Sequence, residues 1–238
     1  MSFSDEVEIL IRARYPILYI ITSEELRVEK ILRQIAAGRQ KKVFEWTCSS
    51  GVVAAGTPFQ SQKGRNPATR EPLAALDLVV EQVEPALFLF KDFHPFLARG
   101  NFAIIRRLKD IALHLKNSRK TIVLISPVLE IPPELDKEIT VLNFPQPGKD
   151  ELGELLDKAA AELRESGEVP VELDEPGRDR LLQAALGLTL GEAENVFAKI
   201  IVKNQRLSED AVGEVIAEKQ QIIRKSGLLE YYEAEEDF

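Results

Sequence analysis

The chain has one cysteine, Cys48, and two histidines, His94 and His114, among its 238 residues. A lone thiol cannot close an intramolecular disulfide, which points to a reducing compartment. So few thiols and imidazoles cannot assemble a zinc ligand set either. Long apolar stretches are missing too: the longest runs are four to eight residues, far short of a membrane span. The opening MSFSDEVEIL starts acidic and lacks the basic stretch and apolar core of a secretory signal. Positive charge is in deficit, with a formal net charge of −8. That balance argues against a surface that coats nucleic acid or anionic lipid. Much of the excess lies in the segment Leu228 to Phe238, which carries Glu230, Glu233, Glu235, Glu236 and Asp237. These absences predict a cytoplasmic protein with no membrane partner, no metal and no cofactor.

What is present is ordinary for a globular chain, with 45% hydrophobic and 29% charged residues. The length allows one large domain, or a core domain with a small satellite. Short β-rich runs at Pro16–Thr22, Lys42–Thr47, Ala86–Asp92, Thr121–Ser126 and Ile139–Phe144 predict five strands. Three of these runs are almost continuously apolar, as strands covered on both faces are. Helical periodicity predicts helices between them over Ser23–Ala37, Glu71–Gln82 and Asn101–Asn117. Strands alternating with helices of this length imply crossover units and a mainly parallel sheet. The stretch Gly51–Arg70 is polar, rich in Gly and Pro, and predicts a long surface loop.

Beyond the fifth strand the pattern is helical only: Lys149–Arg164, Arg178–Leu186, Leu190–Asn204 and Glu209–Lys225. Thr189 with Glu192 fits a capping box, Ser208 suits a helix cap, and Gly187 suits the residue that ends a helix. The expected organisation is an α/β core over 1–166, a linker over 167–173, a small helical domain over 174–226 and an acidic tail over 227–238.

In a parallel α/β sheet, ligands bind beyond the carboxyl ends of the strands. A phosphate-binding loop of the form GxxxxGK[ST] would sit there, between the first strand and first helix. Here the first strand runs straight into Thr22, Ser23, Glu24 and Glu25, with no glycine and no lysine at the turn. Thr22 and Glu25 fit a capping box that would occupy the N–H groups a phosphate needs, and two carboxylates would repel it. The third strand ends in Lys91 and Asp92, where a Walker B segment needs a carboxylate to hold Mg²⁺. A lysine at the metal position excludes the cation by charge. Asp92 then reads as a remnant or as a strand-end turn residue. Ser126, at the end of the fourth strand, stands where a polar residue would sense a γ-phosphate, although a serine before a proline is also an ordinary turn. Arg106, Arg107, Lys109, Lys116, Arg119 and Lys120 form a candidate basic patch, or the solvated face of an amphipathic helix. His114 on the same helix reads as a surface or boundary residue. No Ser–His–Asp, Cys–His or paired-carboxylate set emerges.

Three segments carry a more specific signal: EVEILIRARYPILYIITSEELRVEKILRQIA, KTIVLISPVLEIPPELDKEITVLNFPQPGKDEL and GLTLGEAENVFAKIIV. They resemble the N-terminal half of the cyanobacterial and plastid AAA+ ATPase family named after a conserved hypothetical chloroplast open reading frame. The resemblance extends over nearly the whole chain. It implies a P-loop-NTPase-like (AAA+) sheet of five mainly parallel strands with flanking helices, followed by a small helical lid. The first strand should then lie between the fourth and fifth. It also implies a two-module architecture, in which a degenerate AAA+ module precedes one that carries the working P-loop, Walker B segment and arginine finger. None of those catalytic residues has a matching position here. The family's association with ATP hydrolysis and, in cyanobacteria, with inorganic-carbon use and photosynthetic regulation is context for this chain. The expected function is that of a pseudo-ATPase, an interaction, oligomerisation or regulatory module. Its partners would be proteins: an active AAA+ module in cis or trans, or further copies of itself. Two alternatives are an unconventional nucleotide site using Lys63, Arg65 or Arg70, and a nucleic-acid-associated scaffold resting on the basic helix.

Overall fold

The computed structural model describes residues 2–58, 67–167 and 170–225. They fall into two compact units, one ending at Pro145 and the other starting at Gln146.

The first unit opens with α1 (Phe3–Arg12), which no helical pattern above had marked. Ser2 and Asp5 close a capping box at its start. Then follow β1 (Ile17–Ile21), α2 (Glu25–Gly38), β2 (Lys42–Thr47), β3 (Gly51–Ala54), α3 (Pro72–Glu81), β4 (Ala86–Lys91), α4 (Phe102–Leu115), β5 (Lys120–Ser126) and β6 (Ile139–Asn143). The sheet runs β3-β2-β4-β5-β1-β6, and β1 lies between β5 and β6 as the resemblance implies. Every neighbouring pair is parallel except β2 with β3.

The sheet therefore has six strands, not five. The extra one lies in the stretch read as loop. Its apolar content is the short run Val52–Ala55, too little to announce a strand beside polar sequence, and the turn after Thr47 folds it back onto β2. The Thr47 hydroxyl accepts from Ser50 N at 3.0 Å.

Alternation along the strands explains why they read as continuously apolar. In β4, Phe88 and Phe90 pack with Leu76, Val79, Leu108 and Ile111 of α3 and α4. Leu87 and Leu89 face the other way, toward Val7, Ile11, Val28 and Leu32 of α1 and α2. Each face has its own helical layer, so both sets of side chains are buried. Lys120 opens β5 and is also buried; its ammonium donates to the carbonyls of Val79 (2.8 Å), Val80 (3.0 Å) and Gln82 (2.8 Å). It thus caps the carboxyl end of α3, where a cation is favoured.

The second unit holds α5 (Lys149–Ser166), β7 (Val171–Glu172), α6 (Glu175–Ala185), α7 (Leu190–Asn204), β8 (Leu207–Ser208) and α8 (Val212–Lys225). Leu152, Leu156, Leu181, Leu182, Phe197 and Ile200 share its core. The helix expected within the α/β core up to residue 166 is thus part of the helical unit: its apolar stripe is covered by α6 and α7. Gly153 gives α6 room, because a Cβ there would stand 2.7 Å from Arg178 Nη2, and Arg178 forks onto Asp157 at 2.8 and 2.6 Å.

Thr189 and Glu192 form the capping box, and Gly187, just past the Leu186 cap of α6, has φ +91°. Ser208 directly precedes a short 3-10 turn, Glu209–Ala211, that leads into α8. The same serine pairs with Glu172 in a two-stranded parallel ribbon that crosses the expected linker. The acidic tail over 227–238 lies outside the described residues. No helix among the described residues is long and apolar enough to cross a membrane.

Candidate functional site

Parallel register brings the residues picked out by sequence to one edge of the sheet. Ile21 pairs with Ser126, and Lys91 with Ile125. Thr22, Asp92 and Ser126 therefore stand at or just past the carboxyl ends of three adjacent strands. A phosphate in an NTPase of this fold would lie beyond this edge.

Thr22, Ser23 and Glu24 alone separate β1 from α2, too short a link to wrap a phosphate. Thr22 N donates to Ser126 O at 2.8 Å. The Thr22 hydroxyl accepts from Glu24 N at 2.9 Å, two residues on, and the expected capping box with Glu25 does not form. The box fails because the helix begins two residues later than the sequence suggested, at Glu25. The Glu24 carboxylate instead takes Arg27 at 3.0 Å; Arg27 also donates to Pro145 O at 2.7 Å and lies over the Phe144 ring. Glu24 and Glu25 leave the positive end of α2 facing carboxylates, where an anion would otherwise settle.

Lys91 is the centre of the site. Its side chain is about nine-tenths buried, and its ammonium contacts Glu45 at 2.9 Å, Glu29 at 3.0 Å and Glu25 at 3.8 Å. Glu29 is 3% exposed and also pairs with Arg33 one turn on. Glu45 accepts a second hydrogen bond, from Gly56 N at 3.1 Å. The network ties β4 to α2 and to β2.

Burial pulls the Lys91 pKa down, but hydrogen bonds and charge from Glu45 and Glu29 outweigh it and leave it raised. The Glu25 pKa is also raised, by burial and by the neighbouring carboxylates, against the pull of Lys91. A cleft of about 430 Å³ opens beside this network, walled by Glu29, Arg33, Glu45 and Lys91 together with Thr47 and Ser50. The lysine that sequence reading treated as an obstacle to Mg²⁺ is a structural cation. Its carboxylate partners lie 62 and 46 residues away in sequence and carry no motif of their own.

Asp92 is exposed and adopts a left-handed φ of +50°, its N–H bonded to Ile125 O at 2.9 Å. Ser126 is buried and engaged: its hydroxyl lies 2.7 Å from His94 Nδ1 and accepts from Val128 N at 3.4 Å. His94 was not singled out from sequence, although the run KDFHP just past a buried strand was a usable signal.

The candidate basic patch does not form one face. Arg106 pairs with Asp110, Arg107 with Asp77 at 2.8 Å and Lys116 with Glu138 at 3.1 Å, while Lys120 is buried under α3. Lys109 stays half-buried on α4, Arg119 lies exposed past its end, and His114 is exposed. Arg70 is exposed ahead of α3, whereas Lys63 and Arg65 lie outside the described residues.

The chain matches the family model for the N-terminal domain of SpoVK-like AAA ATPases over residues 3–144, and that for their second domain over residues 150–226. It is 35% identical over 239 residues to the uncharacterized AAA domain-containing protein ycf46 of Trieres chinensis, covering 99% of this chain and 45% of that protein. The Guillardia theta ycf46 protein is 35% identical over 235 residues, covering 98% and 44%. The chain thus spans a little under half the length of these curated relatives. Among solved structures, C. elegans PCH-2 superposes with a TM-score of 0.57 at 12% identity, covering 93% of this chain and 68% of that one. The FIGL-1 AAA domain in complex with ADP gives 0.53 at 9% identity, covering 91% and 80%. At these identities the likeness is one of fold.

Proposed function

The chain belongs to the ycf46 family of AAA-domain proteins, and we propose that its two units form a non-catalytic AAA+ module that serves protein interaction or assembly. The observation that carries this reading is Lys91, held by Glu29 and Glu45 at the position where a Walker B carboxylate would hold Mg²⁺. A metal placed there would meet an ammonium group that is already ion-paired. The three-residue link from β1 to α2, with Glu24 and Glu25 at the helix start, supports the same conclusion for the phosphates. Ser126 spends its hydroxyl on His94 and its own loop. The partner in this reading is an active AAA+ module, in cis or trans, or a further copy of the chain. The pairing of Arg106, Arg107 and Lys116 with carboxylates favours protein over nucleic acid.

The test is a calorimetric titration of the chain with ATP and Mg²⁺, repeated with Asp92→Ala. The expected result is no Mg²⁺-dependent binding at millimolar nucleotide. Saturable, Mg²⁺-dependent binding that Asp92→Ala weakens would overturn the reading and make the chain an unconventional nucleotide sensor.

A further inference from the structure

At the amino edge of the sheet, opposite the site just described, three helix-to-strand connections converge. They contribute Arg12, Arg14, Arg39, Lys41 and Arg119 to one pocket of about 260 Å³, with Ile11 as its apolar wall. Five cations on one pocket stand out in a chain of net charge −8. Glu8 holds Arg39 through Nε at 2.9 Å. Arg12, Arg14 and Arg119 form no ion pair among the described residues. Lys41 is half-buried, its ammonium donating to Arg119 O. Burial first, and then the charges of Arg119 and Arg14, lower its pKa, so these like charges share one space.

Cations near helix carboxyl ends often serve as caps, as Lys120 does for α3. Here that role is already filled by backbone. Arg14 N and Tyr15 N donate to Ile11 O (3.2 Å) and Leu10 O (3.0 Å), and Gln40 N and Lys41 N donate to Ala37 O (3.3 Å) and Ala36 O (2.9 Å). Both α1 and α2 thus end in the Schellman arrangement, whose left-handed position is normally glycine. In α1 that position is Arg14, with φ +62°. An arginine in that conformation is strained, and strain of this kind collects where a side chain is needed. Each helix end offers roughly half a negative charge. With Glu8 counted as well, a surplus of roughly two to three positive charges remains.

We propose that this pocket binds a diphosphate group, free or carried by a small molecule. Arginine forks match phosphoryl oxygens in geometry as well as charge. A terminal phosphoryl group carries about −1.5 to −2 and the phosphoryl it is bridged to about one more, so a diphosphate matches the surplus.

The test is calorimetry of the full chain with inorganic pyrophosphate, without Mg²⁺ and at low ionic strength, beside parallel titrations with ADP, orthophosphate and an oligoglutamate peptide. Arg14→Gly is the informative variant, because glycine relieves the left-handed backbone and should leave the melting temperature unchanged or higher. Saturable pyrophosphate binding, weakened about tenfold or more by Arg14→Gly and by Arg119→Ala, is expected. Orthophosphate should bind about tenfold more weakly than pyrophosphate. ADP equal to pyrophosphate assigns the pocket to the diphosphate itself, and ADP tighter assigns it to a nucleotide; either outcome supports the proposal. No heat with millimolar pyrophosphate, binding indifferent to both variants, or binding of oligoglutamate alone would overturn it. Because the pocket lies away from Asp92, nucleotide binding lost in Arg14→Gly but kept in Asp92→Ala belongs here and leaves the reading of the carboxyl edge intact.

Discussion

Lys91 closes β4 at the carboxyl edge of the sheet, Lys120 opens the adjacent β5 at the amino edge, and the two ammonium groups are buried among different partners. Lys91 sits among carboxylates of α2 and β2, and its pKa is raised. Lys120 sits among the last carbonyls of α3, and burial lowers its pKa. Full opposite charges compensate for lost hydration; dipoles do so only in part. The first edge is therefore a locked ionic junction between three elements, whereas the second is a cap on one helix. A junction of that kind fits the non-catalytic reading proposed above. A cap fits any fold with a helix ending over a sheet.

The largest effect should come from breaking the junction on one side. Lys91→Met leaves Glu45 without its cation and buried Glu29 with Arg33 alone, and should cost about 3–5 kcal/mol in urea denaturation. The triple variant Lys91→Met, Glu29→Gln, Glu45→Gln should recover most of that loss, because the two closest carboxylates are neutralised together with their cation. A triple variant as unstable as the single one would mean that the network acts through shape and not charge. Lys120→Met should cost less, about 1–3 kcal/mol, by leaving the α3 carbonyls unsatisfied. Hydrogen exchange should show that loss concentrated in the last turn of α3.

Alkaline titration separates the two lysines by sign. The Lys91 pKa is raised on folding, so its contribution is complete below the ordinary lysine pKa of about 10.4 and is lost as pH rises through the folded value. Lys120 is shifted down, so stability should rise with pH between its folded value and about 10.4. The triple variant should lose the first trend and Lys120→Met the second, both read from melting temperature against pH. The smallest change belongs to Glu25→Gln. The raised Glu25 pKa makes its charge a cost above the ordinary carboxylate range. Removing that charge should stabilise the chain at neutral pH by a few tenths of a kcal/mol, the group being half-exposed and screened. A loss of stability instead would show that the Lys91 contact at 3.8 Å outweighs repulsion from the other carboxylates.

These partners explain what could be read in advance. The buried strands announced themselves because both faces are covered, so that Leu87 and Leu89 are as apolar as Phe88 and Phe90. The absent phosphate loop was legible because glycine and lysine requirements are local. The partners of Lys91 were not, since Glu29 and Glu45 are ordinary surface-type residues until the fold brings them together. β3 escaped notice because four residues on a sheet edge leave little periodicity. Thr22 was misread by one position, since a hydroxyl can bond the N–H two residues on as readily as one three on.

The single tryptophan makes one part of this fold visible without labelling. Trp46 is 1% exposed, lies against Phe90, Phe93 and Phe96, and donates its indole N–H to Thr69 O at 2.7 Å. Its emission should be blue-shifted and poorly quenched by acrylamide. Because Thr69 also accepts from Val52 N at 2.8 Å, the same indole reports on the β3 hairpin. Occupancy of the neighbouring cleft that loosens this contact would move the spectrum to the red, giving an optical assay for partners.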